Sequence, residues 1–331
     1  MHIEKFVEVD HHSKDCSKFI EKFESLLDAA GLSLSTGIEC ERLSGAMTNC
    51  IYRISDSSHS YIIKVYGKGT EEVISRLNEL KVIRELGILG LAPKLLATFS
   101  NGRIEQYIPS VALTSENIRD RAFYVQIAAK VAELHSQKID LVAPDMWSTF
   151  YKWYFDCKTI KNKGLETIGF YRKEFFNEME RYESLLRETS SPIVVLHNDL
   201  QYGNIVQKPN GHLMLLDFEY TCLGNAAYDL ANFFCEWTAD YSSGFCFDES
   251  RFPTDNQQEI FIEAYLKHSK GSYTSQDVQI WKREVLLFVG CSHLFWGLWG
   301  LLQSRNSGID FDYMEYGIER LRAFKSFMNK Y

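Results

Sequence analysis

No two of the chain's eight cysteines form a Cys-x-x-Cys pair, and their irregular spacing argues against a zinc site and for reduced thiols. No run of five lysines or arginines occurs in a chain of net charge −8. A broad basic face for nucleic acid is therefore not expected, whereas a cationic small molecule would be attracted. No Gly-x-x-x-x-Gly-Lys-Ser/Thr element exists, which excludes a P-loop nucleotide fold. Internal repeats, low-complexity tracts and long linkers are absent as well. Met1-His2-Ile3-Glu4-Lys5 carries charge at once and has no apolar signal region, so the expected location is cytoplasmic. Val285–Leu302 lacks formal charge and is near the lower length limit for crossing a bilayer. It is broken by Gly290, Ser292, His293, Gly297 and Gly300, and its tryptophans lie inside the run where interfacial anchors would flank it. It reads as a buried helix, and no stable membrane insertion is expected.

What is present is bulk and aromaticity. The 331 residues suffice for two lobes, and 14% aromatic residues imply large buried surfaces or aromatic-lined pockets. Pro192–Trp237 organises the rest. The apolar, β-branched run Ile193–Leu196 ends in the polar loop His197-Asn198-Asp199-Leu200-Gln201-Tyr202-Gly203-Asn204. Ile205-Val206 leads to a Pro209-Asn210-Gly211 turn, and Leu213–Leu216 delivers Asp217-Phe218-Glu219. Polar groups at the ends of hydrophobic strands are placed where a rigid scaffold can aim them at a ligand.

Elsewhere, Ser17–Ala30 has the period of an amphipathic helix stopped by Gly31. Between two strand-like pieces, Ser44-Gly45-Ala46-Met47-Thr48-Asn49 is a small, flexible loop whose backbone N–H groups suit phosphates, although a plain hairpin explains it equally well. Tyr61–Tyr66 reads as a strand carrying Lys64, and Glu71–Leu86 as a helix carrying Glu79. A strand lysine paired with a helix glutamate orients nucleotide phosphates in kinases; two solvated surface residues would show the same spacing. A hairpin is expected over Lys94–Ile108, turning at Asn101-Gly102, with Glu105–Pro109 as its exit. Beyond it lie a long helix over Asn117–Ser136, a Trp/Tyr-rich connection through Met146–Phe155, and a polar helix near Gly169–Glu188. Asn225–Trp237, Asp255–Lys267, Ser275–Gln303 and the C-terminal segment complete the expected helices.

His-x-Asp-x4-Asn followed by Asp-Phe-Glu has the spacing of a catalytic loop and metal-binding segment for phosphoryl transfer. Asp199 suits a base for the attacking hydroxyl, and Asn204 and Asp217 supply hard oxygens of the kind Mg²⁺ prefers, with Glu219 in reach of a second ion. His197 is expected to hold the loop structurally, and Asp229 to anchor its backbone from a buried helix. Trp296 and Trp299 stand at i and i+3 on one helix face. Core packing accounts for that spacing; so does an aromatic wall for an ammonium head, worth roughly 0.5–2 kcal/mol per contact.

With those residues in view, His197–Asn204, Asp217–Tyr220, Asp229–Trp237 and Ser292–Trp299 resemble the choline/ethanolamine kinase family, over about Ser44 to Phe324. The resemblance implies an α+β, protein-kinase-like bilobal fold: a small N-terminal lobe with an antiparallel sheet (1–107) and a larger, mainly helical C-terminal lobe (108–331). It implies ATP with Mg²⁺ and γ-phosphoryl transfer to an amino alcohol. Homodimers are common in the family. Asp199 would be the base with Gln201 assisting, and Asn204, Asp217 and Glu219 the metal ligands. ATP would meet Ser44, Gly45, Thr48, Asn49, Lys64 and Glu79, and, at the hinge, Gln106 and Ile108. Tyr220, Glu236, Trp296, Trp299, Phe311 and Tyr316 would line the amino-alcohol pocket with Asp199. Lys64 stands where the family often has Arg, and Ala46 where it has Gly. Asp-Leu-Gln, Asp-Phe-Glu-Tyr and Cys-Glu-Trp look like the choline branch, so choline is the expected substrate and phosphocholine, for phosphatidylcholine synthesis, the product. Ethanolamine or dual activity is the alternative. A non-catalytic pseudokinase is the more remote one.

Overall fold

The computed structural model describes residues 1–9, 15–43, 49–67, 75–142, 146–242, 245–306 and 311–330. Its chain divides into two compact units that are not continuous stretches: Gln207–Glu219, carrying Asp217, groups with Met1–Val111 and Asn306–Asp310, and the remainder forms the second unit.

The first unit is built on a six-stranded sheet of β1 (His2–Ile3), β2 (Glu39–Leu43), β3 (Asn49–Ser55), β4 (Ser60–Tyr66), β5 (Leu95–Phe99) and β6 (Gly102–Gln106). Their order is β1-β5-β6-β4-β3-β2, antiparallel except for β1 on β5. Helix α1 (Ile20–Ala29) puts Phe23, Leu26 and Leu27 into one core with Tyr52, Ile54, Ile63, Val65 and Ile104. Because successive strand side chains point to opposite faces, committing Ile63 and Val65 to that core sends Lys64 to the other face. Arg103 pairs directly with Lys64 in the β4–β6 ladder and so shares its face.

Helix α2 runs over Arg76–Ile88, where the Ser75 hydroxyl caps it by accepting from the Asn78 N–H at 3.4 Å; residues 71–74 of the expected helix lie outside the described residues. The β5–β6 hairpin also turns earlier than expected, since Gly102 lies inside β6. A Cβ there would sit 2.2 Å from the Lys64 carbonyl oxygen and 2.3 Å from the Phe99 ring, so the strands can close beside Lys64 only over glycine.

A two-residue strand β7 (Val111–Ala112) spans the change of unit. The second unit is mainly helical. Its predicted first helix is split: Asn117–Arg119 is a 3₁₀ turn, and extended Asp120 caps α3 (Arg121–His135) by accepting from the Ala122 N–H at 2.8 Å. Met146–Phe155 is no connection; it lies within helix α4 (Met146–Cys157), which buries Trp147, Phe150, Trp153, Tyr154 and Cys157. Aromatics at half of its positions hid a sound helical period.

Helices α5 (Lys163–Thr167) and α6 (Lys173–Arg187) follow, then β8 (Ile193–Leu196), β9 (Ile205–Gln207), β10 (Leu213–Leu215) and β11 (Cys222–Asn225). β8 pairs antiparallel with β11, Leu196 opposite Cys222. β11 runs straight into α7 (Ala226–Glu236), every residue of which is buried. After the short β12 (Ala239–Asp240) and β13 (Cys246–Phe247) come α8 (Asp255–Ser269), α9 (Ser275–Asn306) and α10 (Tyr313–Met328). By length and composition α9 passes as a membrane span, but 83% of its most apolar window is buried against the protein, as its internal glycines suggest. Those glycines admit a backbone: a Cβ on Gly300 would lie 2.9 Å from the Gly317 Cα, and one on Gly317 would lie 2.9 Å from the Gly297 carbonyl oxygen. Helices α9 and α10 therefore meet nearly backbone to backbone, setting Tyr316 beside Trp299.

Candidate functional site

The sheet face opposite the first unit's core carries a buried ionic cluster. Lys64, 3% exposed, bonds to the Asp217 carboxylate and lies 3.8 Å from Glu219 and 3.9 Å from Glu79. Burial works against its charge, but Asp217 and Glu219 more than offset this and hold the ammonium above its ordinary range. The predicted Lys64–Glu79 pair is thus a loose one. Glu79 is taken chiefly by Arg103 at 2.5 Å and Arg76 at 2.6 Å. Against its burial, these arginines and Lys64 pull its carboxyl down to about 2. Arg76 also lies over the Tyr66 ring, 3.9 Å from its centroid, and Arg103 bonds Glu105.

Glu219 accepts from the Asn49 amide at 2.7 Å; burial, and then Asp217, push its pKa up. Asp217 stands at φ 62°, the left-handed region that branched or bulky residues avoid. Glu79, Asp217 and Glu219 each offer a carboxylate oxygen, all within 4.8 Å of one another. A hard divalent cation fits such a donor set. Two of its members were named as metal ligands from the sequence, where Glu79 was expected to pair with Lys64 and to meet ATP. At the expected hinge, the Gln106 N–H donates to the Lys94 carbonyl at 2.9 Å and the Ile108 carbonyl accepts from the Ser110 hydroxyl at 2.9 Å. Ser44, Gly45 and Thr48 lie outside the described residues.

The second unit holds the His197–Asn204 loop. Asp229 on α7 accepts from the backbone N–H of His197 at 2.7 Å and of Asn198 at 2.8 Å, and is itself held by His135 at 3.0 Å. This is the anchoring role read from its apolar surroundings. Asn198, at φ 68°, closes the turn by donating to the Tyr220 carbonyl at 2.6 Å. His197 is fully buried and its Nδ1 accepts from the Asp199 N–H at 3.3 Å, as expected of a structural group. The Asn204 amide donates to the Asp199 carboxylate at 2.7 Å and to its carbonyl at 3.0 Å. Gln201 precedes the 3₁₀ turn Tyr202–Asn204, its Oε1 over Gly203.

An aromatic cluster occupies the same unit. Tyr220 and Trp296 are 5.1 Å apart between ring centroids, Trp296 and Trp299 5.1 Å, Trp299 and Tyr316 6.0 Å, and Tyr316 and Phe311 5.7 Å. Both indoles are buried, so they serve the core as well as line this group. Tyr316 continues to Phe245 at 4.8 Å and Phe245 to Tyr241 at 6.0 Å, and the Tyr241 hydroxyl donates to Glu236 at 2.8 Å. Burial raises the pKa of Glu236.

Sequence reasoning missed Tyr241, Phe245, Arg103 and Arg320. Arg320 had a signal, one helical turn after Tyr316. Arg103 had none, since strand register decides what faces Lys64.

The choline/ethanolamine kinase family model matches residues 40–325. The chain is 32% identical to a choline/ethanolamine kinase of Rattus norvegicus, over 85% of this chain and 78% of that one, and 30% identical to a probable choline kinase 1 of Arabidopsis thaliana, over 87% and 86%. An ethanolamine kinase structure from Plasmodium vivax superposes with a TM-score of 0.79 at 28% identity, covering 97% of this chain and 95% of that one. The α+β, protein-kinase-like fold expected from the sequence is the fold of these neighbours. With the family match spanning most of its length, the chain belongs to the choline/ethanolamine kinase family.

Proposed function

We propose that the protein transfers the γ-phosphoryl group of ATP to the hydroxyl of choline, giving phosphocholine and ADP. One observation carries the reading: a buried carboxylate, Glu236, is joined to a cluster of aromatic rings in the unit that holds the Asp199–Asn204 loop. Asp199 orients the choline hydroxyl and receives its proton as the oxygen attacks phosphorus. Asn204 steadies the Asp199 carboxylate by its amide bond. Lys64 supplies a permanent cation for the phosphates, kept charged by Asp217 and Glu219. Asp217, Glu219 and Glu79 are the groups that would hold a divalent ion, Mg²⁺ by the hardness of their oxygens. Such an ion neutralises charge on the triphosphate.

Choline is favoured over ethanolamine on chemical grounds. A quaternary ammonium has no N–H to donate and gains most from aromatic faces with a negative charge behind them. A primary ammonium needs acceptors for three N–H bonds, and of the groups here Glu236 already accepts from Tyr241. The indole N–H groups of Trp296 and Trp299 are donors and offer a primary ammonium nothing.

The test is an assay with Mg²⁺-ATP and choline, ethanolamine or an aminoglycoside. Choline should be turned over, with activity abolished in Asp199→Ala and Asp217→Ala; folded protein that binds ATP yet phosphorylates none of the three would sink the proposal.

A further inference from the structure

Arg320 has a place in this site that none of the family motifs mark. It is fully buried on α10, one turn beyond Tyr316, with its guanidinium 5.7 Å from the Tyr316 ring centroid. Its Nη1 lies 3.5 Å from the Glu236 carboxylate, and its Nη2 donates to the Ser292 hydroxyl at 3.2 Å. The same hydroxyl accepts from the Asn232 amide at 3.3 Å, and the Asn232 Oδ1 accepts from the Leu200 N–H at 2.8 Å. Arg320, Ser292, Asn232 and Leu200 are all fully buried. A continuous polar path thus runs from the pocket carboxylate to the backbone next to Asp199.

We propose that Arg320 is a positioning residue for phosphoryl transfer: it fixes the Glu236 carboxylate and, through Ser292 and Asn232, ties it to the catalytic loop at Leu200. The proposal rests on reading this site as the amino-alcohol pocket. The geometry of α7 supports it. Asp229, Asn232 and Glu236 stand at i, i+3 and i+7 on one helix face. The first two hold the loop through the N–H groups of His197, Asn198 and Leu200, on either side of Asp199. The third is the pocket acid, about 10 Å along the same helix. One rigid element therefore sets where the ammonium sits relative to the hydroxyl's base, and Arg320 locks its far end.

Charge supports it too. A lone buried carboxylate takes up a proton sooner than remain ionised, and a neutral Glu236 would not attract a cation. Arg320 counters the burial that raises the pKa of Glu236. The other groups around it do not titrate in the same range. Burial pushes the thiol of Cys235 up to about 11 and the Tyr241 hydroxyl well above its usual value. Tyr316 and Tyr202 are raised by burial. Asp240, near Tyr202, is held low by Ser242. Burial and then Arg320 keep His293 on α9 well below its usual range, hence neutral.

The full chain carrying Arg320→Met, Arg320→Lys or Ser292→Ala tests this, with choline binding measured by calorimetry without ATP and kinetics measured with it. Arg320→Met should weaken choline about tenfold or more at neutral pH and recover as the pH is raised, while KM for ATP stays within about twofold. Arg320→Lys should restore much of the affinity at neutral pH, and Ser292→Ala should lower kcat several-fold with choline affinity kept. A folded Arg320→Met whose choline affinity is unchanged, or whose KM values for choline and ATP rise together, would overturn the proposal. Should Arg320→Met fail to fold, wild-type kcat and KM in both other variants would overturn it equally. Wild-type protein that binds neither choline nor ethanolamine overturns the pocket reading itself, a failure seen before any variant is compared.

Discussion

The residue whose surroundings depart most from its expected role is Glu79. Its placement fifteen positions after Lys64 suggested a partner for that lysine, whereas two arginines, Arg103 fully buried and Arg76 half-buried, share it. Glu79→Gln would leave Arg76 and Arg103 with one fewer counter-charge, and removing one member of a buried ion pair costs about 3–5 kcal/mol. A denaturant melt should show that loss; an unchanged midpoint would mean that other acids, Glu105 foremost, neutralise the arginines alone. The pH sign follows from its depressed pKa. Stability contributed by Glu79 is fully present above its ordinary value of 4.5 and is lost as pH falls through about 2. In the variant, that part of the acid dependence should vanish.

At the scale of elements, two helices decide the site. Helix α7 is legible in the sequence because Asp229 and Glu236 stand out in an apolar run, and Asn232 between them completes the face. The closeness of α9 and α10 was half legible: Gly297 and Gly300 leave room beside the indoles for a close approach, but nothing in the sequence said that the approaching backbone was Gly317. Gly317→Ala would set a Cβ 2.9 Å from the Gly297 carbonyl oxygen and 3.0 Å from the Leu301 N, both backbone atoms that cannot turn aside. Overpacking of this kind costs about 1–3 kcal/mol. Lower thermal stability and a higher KM for choline are expected together, because Tyr316 rides on the displaced helix. A variant with wild-type stability and KM would show that α10 moves away freely.

For the whole molecule, what could be read from the sequence was what local pattern and spacing determine. The Asp199–Asn204 loop, the Asp217–Glu219 segment and most helices were visible because their residues are neighbours in the chain. Helix α4 was not, because aromatics at half of its positions, on more than one face, conceal its 3.6-residue period, and α3 was drawn too long because Asp120 was not recognised as a cap. The pairing of Arg103 with Glu79 is set by strand register and leaves no local trace, and that of Arg320 with Glu236 is set by helix docking, with only its place one turn after Tyr316 to suggest it. The proposed chemistry rests on reading the aromatic cluster as an ammonium pocket serving the Asp199 loop. The most direct test is parallel turnover of choline and ethanolamine by the same protein with ATP, alongside Trp299→Ala. The expected result is phosphocholine formed at the higher kcat/KM, with Trp299→Ala raising KM for choline far more than for ATP. Ethanolamine preferred over choline, or equal losses for choline and ATP in the variant, would contradict it.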